Sequence, residues 1–162
     1  DRFSKIGSRS ELQNVNVVSL ISKSINYLKL RMPINTKFII EHSNNEIFVS
    51  ISPTLFEWVI ENLVKNSVDA MKGKGDILIS IKEELQNVII NITDKGGGID
   101  KTIIKNIFKP GVTSKKRGWG LGLSLSKRII EEYHNGQIYV MSSKKNKGTT
   151  FTINLPKAIS KI

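Results

Sequence analysis

Apolar residues along this chain recur at two spacings, and each predicts its own kind of element. Between 19 and 32, Leu20, Ile21, Ile25, Leu28 and Met32 return at the interval of one helix face, and Pro33 closes the run. Residues 37–41 and 47–51 are short β-branched runs with Ser43, Asn44 and Asn45 between them, which predicts two strands joined by a hairpin-like turn. Ser52 and Pro53 then open a long helix, serine as its cap and proline at its first helical position. Its apolar stripe is Leu55, Phe56, Val59, Ile60, Leu63, Val64, Ala70 and Met71, and Gly73 and Gly75 stop it.

Strict alternation through Ile77, Ile79 and Ile81 predicts a half-buried strand over 76–84, and a second follows over 88–93 after a turn at Gln86 and Asn87. Residues 100–108 read as a short helix. Residues 109–122 hold four glycines, one proline and many charges, and read as a mobile loop. Leu125, Ile129, Ile130 and Tyr133 predict a helix over 123–134, followed by strands over 137–142 and 149–155. There is no internal repeat. Helices and strands mix without regular βαβ alternation, so the expected fold is α+β: a two-layer sandwich with about three helices covering one face of a mixed sheet.

Composition narrows the function classes. The 162 residues fit one domain, with 39% hydrophobic and 24% charged residues, an ordinary globular balance. The absence of cysteine excludes disulfides and thiolate metal sites and fits a reducing, cytoplasmic setting. No apolar run approaches the roughly 20 residues of a membrane helix. The chain starts at Asp1 rather than Met, so it reads as a piece of a longer protein whose membrane attachment is out of view. The net charge of +11 favours an anionic partner, whether nucleotide, nucleic acid or acidic protein, and by itself does not choose among them.

Three features carry candidate chemistry. On the long helix, Asn62, Asn66 and Asp69 lie on one stripe, and an asparagine carbonyl is a hard-oxygen ligand suited to Mg²⁺, though solvated helix faces show such stripes too. Asp94, Lys95, Gly96, Gly97, Gly98 and Ile99 follow a strand directly; the carboxylate can accept from an exocyclic amine such as adenine's, and an ordinary glycine turn would look the same. Gly118, Trp119, Gly120, Leu121, Gly122 and Leu123 precede a helix and follow Lys115, Lys116 and Arg117. That is a basic, glycine-rich anion site without the signature of a Walker loop or a Rossmann turn.

In this order the three features resemble the GHKL ATPase superfamily (the Bergerat fold), and within it the catalytic domain of sensor histidine kinases. Residues 61–71 look like the family's N box and 94–99 like its first glycine box. Residues 107–115 resemble its phenylalanine box and 118–123 its second glycine box, while 134–138 and 148–151 are similar to later signatures. Residues 1–10 resemble the remnant of a segment leaving the dimerisation helices, with the catalytic domain over 11–162. The resemblance implies ATP and Mg²⁺ as ligands. It makes Asn66 the metal ligand with Asn62 in support, and Asp94 the reader of the adenine amine, with Thr149 sharing a water. Gly96, Gly98 and Ile99 would lie against the base, and Phe108 would anchor the loop. Thr113, Lys115, Gly118, Gly120, Leu121, Gly122 and Leu123 would belong to an ATP lid over the phosphates.

Two departures and an absence shape the expected activity. Asp69 stands where many members carry a basic residue. Asn62 stands where hydrolysing relatives carry a glutamate, and a neutral amide cannot act as general base. Glu61 lies about 100° around the helix from it. The histidines, His42 and His134, lack an acid-flanked helical setting, so both read as structural. The resemblance therefore implies a monomeric fragment that donates the γ-phosphoryl group to a histidine on a separate dimerisation domain of the same, homodimeric protein. A response regulator would then be an indirect partner, and no nucleic acid is expected. The alternatives are a degenerate nucleotide-binding regulatory module, which would leave a supplied dimerisation domain unphosphorylated, and a DNA-associated GHKL ATPase, which would show DNA-stimulated turnover.

Overall fold

A computed structural model describes residues 11–112 and 122–158 of the chain. Its strands and α-helices run in the order β1 (Gln13–Asn16), α1 (Val17–Lys29), β2 (Thr36–His42), β3 (Phe48–Ile51), α2 (Pro53–Ala70), β4 (Gly75–Glu83), β5 (Asn87–Asp94), α3 (Gly122–Arg128), β6 (Gln137–Lys144) and β7 (Gly148–Pro156). Five strands form one mixed sheet in the order β2-β4-β5-β7-β6, in which the β2–β4 pair is parallel and the others antiparallel. The helices cover the face on which Ile77, Ile79, Ile81, Val88, Ile90, Ile92, Ile153 and Leu155 are buried. This is the α+β sandwich that the hydrophobic pattern predicts.

Helix α2 is the centre of the helical layer. Leu55, Phe56, Val59, Ile60, Leu63 and Val64 are all buried on its inner face. Each such side chain contributes about 1.5–3 kcal/mol by leaving water. Helix α1 begins earlier than its apolar stripe, because Asn16 caps it: Asn16 Oδ1 accepts from Val18 N at 3.1 Å and also from Ile47 N at 3.2 Å.

Three local expectations are corrected. The runs at 37–41 and 47–51 do not pair as a hairpin. Strand β2 pairs in parallel with β4, setting Phe38 beside Ile77 and Ile40 beside Ile79, while β3 pairs with β1, setting Val49 beside Val15. Ser43 ends β2 against β4 instead, with Ser43 N donating to Ile81 O at 3.1 Å and Glu83 N donating to Ser43 Oγ at 3.0 Å. Strand β1 is too polar to show a strand pattern of its own, and its partner brings it into register. Within 100–108 only Ile104–Asn106 is helical, as a 3₁₀ turn. Asp100 Oδ1 takes up Thr102 N and Thr102 Oγ1, both at 2.9 Å, which favours a turn over helix in a β-branched stretch. Finally, α3 continues through a π-helical turn, Ile129–Tyr133, rather than as regular α-helix.

His134 follows that π turn and is buried. Its Nε2 accepts the Ser52 N–H at 2.9 Å, the donor at the cap of α2, and its Nδ1 meets Ile129 O at 2.8 Å. Both contacts are made when the ring is neutral with its proton on Nδ1. Burial lowers the His134 pKa from the ordinary 6.5, opposed by the Ile129 hydrogen bond. A lowered folded-state pKa means that the unfolded chain binds the proton first. Stability from this group is therefore full above pH 6.5, falls as pH drops through the interval down to the folded-state value, and is lost below it. Thermal melts from pH 8 to pH 5 should show this decline, and His134→Asn should flatten it over the same interval. A wild-type melting temperature indifferent to pH there would show that His134 does not titrate as its burial requires.

Candidate functional site

Strand β5 alternates strictly, with Val88, Ile90, Ile92 and Asp94 on its buried face. The last of these is a carboxylate where the pattern calls for an apolar side chain. Asp94 Oδ1 accepts the Gly96 N–H at 2.8 Å. Burial pushes the Asp94 carboxyl above its ordinary 3.8, while hydrogen bonding from Gly96, from the Ser67 hydroxyl and from the Thr149 backbone pulls it back. Ser67 Oγ is close enough to help hold this anion, yet it is buried without a hydrogen bond of good geometry. A buried hydroxyl left short of a partner beside a buried carboxylate is a polar pair that a ligand carrying both donors and acceptors would complete.

Ser67 was not among the residues that motif reading picks out. It lies one position after Asn66 and one helical turn after Leu63, on the inner face of α2. The available signal was a lone serine at a core-facing position, since buried polar side chains are uncommon and need an explanation.

On α2, Asn62 and Asn66 are half-buried and Asp69 is exposed. Asn62 Nδ2 donates to Ser126 Oγ at 3.0 Å, Ser126 Oγ donates to Gly122 O at 2.8 Å, and Gly122 packs directly on the Asn62 amide. Asn62 thus fastens the start of α3, where Leu123 also packs against the core. Glu61 instead pairs with Lys65 at 3.1 Å. Among the described residues no group of three or more His, Asp or Glu side chains gathers to hold a metal, so a cation here would rely on few protein ligands such as Asn66.

The glycine turn after Asp94 is locked from two sides. Gly97 N donates to Ala70 O at 3.1 Å, and a Cβ on Gly96 would come within 2.6 Å of the Ala70 backbone. Gly98 has φ +77°, and a side chain there would strike the Lys144 carbonyl, while Asn146 N donates to Gly97 O at 2.9 Å. Ile99 N donates to Ser143 Oγ at 2.8 Å, and Ser143 Oγ lies 2.7 Å from Thr149 Oγ1. Phe108 stands edge-on to Phe151 with ring centroids 6.3 Å apart, and Lys127 Nζ sits 5.7 Å from its ring centre. Asp94, Gly96, Gly98, Ile99 and Thr149 therefore share one end of the site, and Asn62, Gly122 and Leu123 the junction of α2 with α3. Thr113, Lys115, Gly118, Gly120 and Leu121 lie outside the described residues.

Residues 51–159 match the family of histidine kinase-, DNA gyrase B- and HSP90-like ATPases. The chain belongs to this family. Its relatives include sporulation kinase A of Bacillus subtilis (strain 168), 33% identical over 144 residues, with 88% of this chain and 23% of that protein covered. The sensor histidine kinase ZraS of Salmonella typhimurium is 35% identical over 148 residues, covering 90% of this chain and 31% of that one. The chain thus spans about a quarter to a third of these kinases. Among solved structures, the catalytic domain of the histidine kinase ThkA matches with a TM-score of 0.79 and 29% identity, over 91% of this chain and 96% of that one. ThkA in complex with the response regulator TrrA matches with a TM-score of 0.76 and 26% identity, over 91% of this chain and 42% of that one. No helix among the described residues is long and apolar enough to cross a membrane.

In this family member, Asp94 carries a stability consequence with a definite sign. A raised folded-state pKa means that the unfolded chain loses its proton first. Stability from this group is therefore lost as pH rises from 3.8 through the folded-state value, and the deficit persists at neutral pH. Asp94→Asn removes that deficit, so the variant should melt no lower than wild type at pH 7, with the difference narrowing as pH falls toward 3.8. A clearly lower melting temperature for the variant at pH 7 would show that the hydrogen bonds to the carboxylate outweigh its desolvation.

Proposed function

We propose that this chain binds ATP with Mg²⁺ and donates the γ-phosphoryl group to a histidine on a separate dimerisation domain of the same protein, in two-component signal transduction. The observation that supports this most is the buried Asp94 carboxylate beside the unsatisfied Ser67 hydroxyl. The adenine amine would donate to Asp94, with Thr149 and Ile99 beside the base. Asn66, on the same helix as Ser67, would hold Mg²⁺, which when bound neutralises charge on the phosphates.

The transfer itself breaks the bond between the γ-phosphorus and its bridging oxygen and forms a phosphorus–nitrogen bond to the acceptor imidazole, with ADP leaving. Little covalent help from the protein is needed, because alignment and charge neutralisation dominate. This chain's residues orient the nucleotide. None of those placed at the site is a general base for water: Asn62 is neutral and engaged with Ser126, and Glu61 is paired with Lys65. Low ATP hydrolysis follows, which separates this reading from that of a DNA-associated ATPase. The acceptor is also absent from the site. Both ring nitrogens of His134 are engaged inside the core, and His42 is exposed at the end of β2. The kinase relatives, and the ThkA complex with its regulator, make a response regulator the expected eventual recipient.

Two measurements test this reading. Fluorescent ATP-analogue titration should give binding that weakens when Mg²⁺ is chelated, that falls about tenfold or more in Asp94→Asn through loss of a charge-assisted hydrogen bond, and that loses its Mg²⁺ dependence in Asn66→Ala. Undiminished affinity in Asp94→Asn would move the adenine elsewhere. With γ-labelled ATP and an added dimerisation domain, acid-labile phosphate should appear on that domain and none on this chain. Binding without any transfer would instead favour a degenerate regulatory module.

A further inference from the structure

From Leu12 to Ile40 the chain carries no acidic residue, and Lys23, Lys29, Arg31 and Lys37 make every charge in this stretch positive. The stretch contains α1 and the connection from α1 to β2. That connection also exposes apolar side chains: Leu30 is 86% exposed and Ile34 95%, with Tyr27 half-exposed on the last turns of α1. Single apolar residues scattered over a surface need no explanation, but these gather on one short connection. Leu30 and Ile34 project from the surface with almost no protein around them.

A second basic segment is fastened to this one. The turn between α2 and β4 carries Lys72 and Lys74, both exposed. Gly75 N donates to Asn35 O at 3.2 Å, and Thr36 Oγ1 donates to Gly73 O at 3.2 Å. Gly73 also lies against Pro33, so closely that a Cβ there would meet the proline ring at 3.2 Å. The two connections therefore form one corner of the fold. Leu30 is flanked there by Lys29 and Arg31, and Ile34 stands on the segment to which the lysine turn is bonded. Among the described residues, the ion pairs join Lys65 to Glu61, Lys127 to Glu131, Arg128 to Glu132 and Lys157 to Glu83, so none of the corner's cations is committed to a carboxylate. Asp76, the acid that follows this turn, lies opposite Lys37 in the β2–β4 register.

We propose that this corner docks on an anionic lipid surface, with Leu30 and Ile34 entering the interface and Lys29, Arg31, Lys72 and Lys74 against the headgroups. Charge alone would suit any polyanion, but a nucleic acid or an acidic peptide has no use for two projecting apolar side chains. A partner protein would need a separate pocket for each projection. A lipid interface takes in apolar side chains of any outline, while its anionic headgroups attract the cations beside them. The contact is peripheral, since no helix among the described residues is long and apolar enough to cross a membrane. It also gives a use to the +11 net charge, of which a nucleotide bound with Mg²⁺ meets only a small part.

None of the corner residues lies at the candidate site, so the inference stands apart from the ATP reading. Its test is co-sedimentation with phosphatidylcholine vesicles and with equimolar phosphatidylcholine–phosphatidylserine vesicles, beside titration with soluble polyglutamate. Wild type should bind the mixed vesicles, ignore phosphatidylcholine alone, and be released as salt rises. Leu30→Gln/Ile34→Gln should weaken vesicle binding about tenfold or more. Lys72→Gln/Lys74→Gln should weaken it by about fivefold per charge removed. Both double variants should keep the wild-type melting temperature, and should the apolar one melt lower, Ile34→Gln alone serves in its place. Wild type that fails to sediment with mixed vesicles overturns the proposal. So does an apolar variant that binds them as well as wild type, which would leave charge as the only attraction. Polyglutamate bound as tightly as the vesicles would make the partner an acidic protein instead.

Discussion

A carboxylate buried at the end of a strand organises this domain. Asp94 occupies the inward position that Val88, Ile90 and Ile92 occupy before it, so the sheet delivers a charge to the edge of its own core. Burying a charge is costly unless hydrogen bonds meet it; the Gly96 amide and the Thr149 backbone supply them, while the nearby Ser67 hydroxyl is left without a well-formed bond. The remaining polarity is what a ligand can use. Carboxylates shifted by burial in this way cluster at functional sites.

The rest of the site consists of elements that keep this group where it is. Helix α2 lends Ser67 to the carboxylate and its terminal carbonyl at Ala70 to the glycine turn, so one rigid body supports both. The β6–β7 turn closes on the same glycines through Asn146 and the Lys144 backbone. At the other end of α2, His134 meets the cap amide of Ser52, and midway along the helix Asn62 holds the beginning of α3. A single helix thus joins the Asp94 end of the candidate site to the beginning of α3. Its apolar face, buried against the sheet, makes that link stiff.

On the proposed function, this arrangement would serve to present a nucleotide to another domain. Nothing in the described part of the site generates a nucleophile from water, and its neutral amides and backbone groups can hold phosphates without attacking them.

Much of this was legible in the residues. The stripe of α2, the alternation of β4 and β5, the proline and glycine boundaries and the ordered motifs are properties of neighbouring positions, and local periodicity reports them directly. Asp94, Gly96, Gly98, Ile99 and Thr149 were named from motif order, and folding brings them to one end of the site. What only the tertiary structure decided depends on hydrogen bonds between distant segments. Strand β2 lies beside β4 rather than β3, β1 exists because β3 pairs with it, and one bulge at Met141 turns Ser143 instead of Ser142 toward Thr149. A turn signal says that the chain reverses but not which edge it meets, and alternation loses its phase wherever an extra residue enters a ladder. Ser67 escaped for a related reason: a serine on an apolar helix face gains meaning only when a carboxylate from another strand is packed against it.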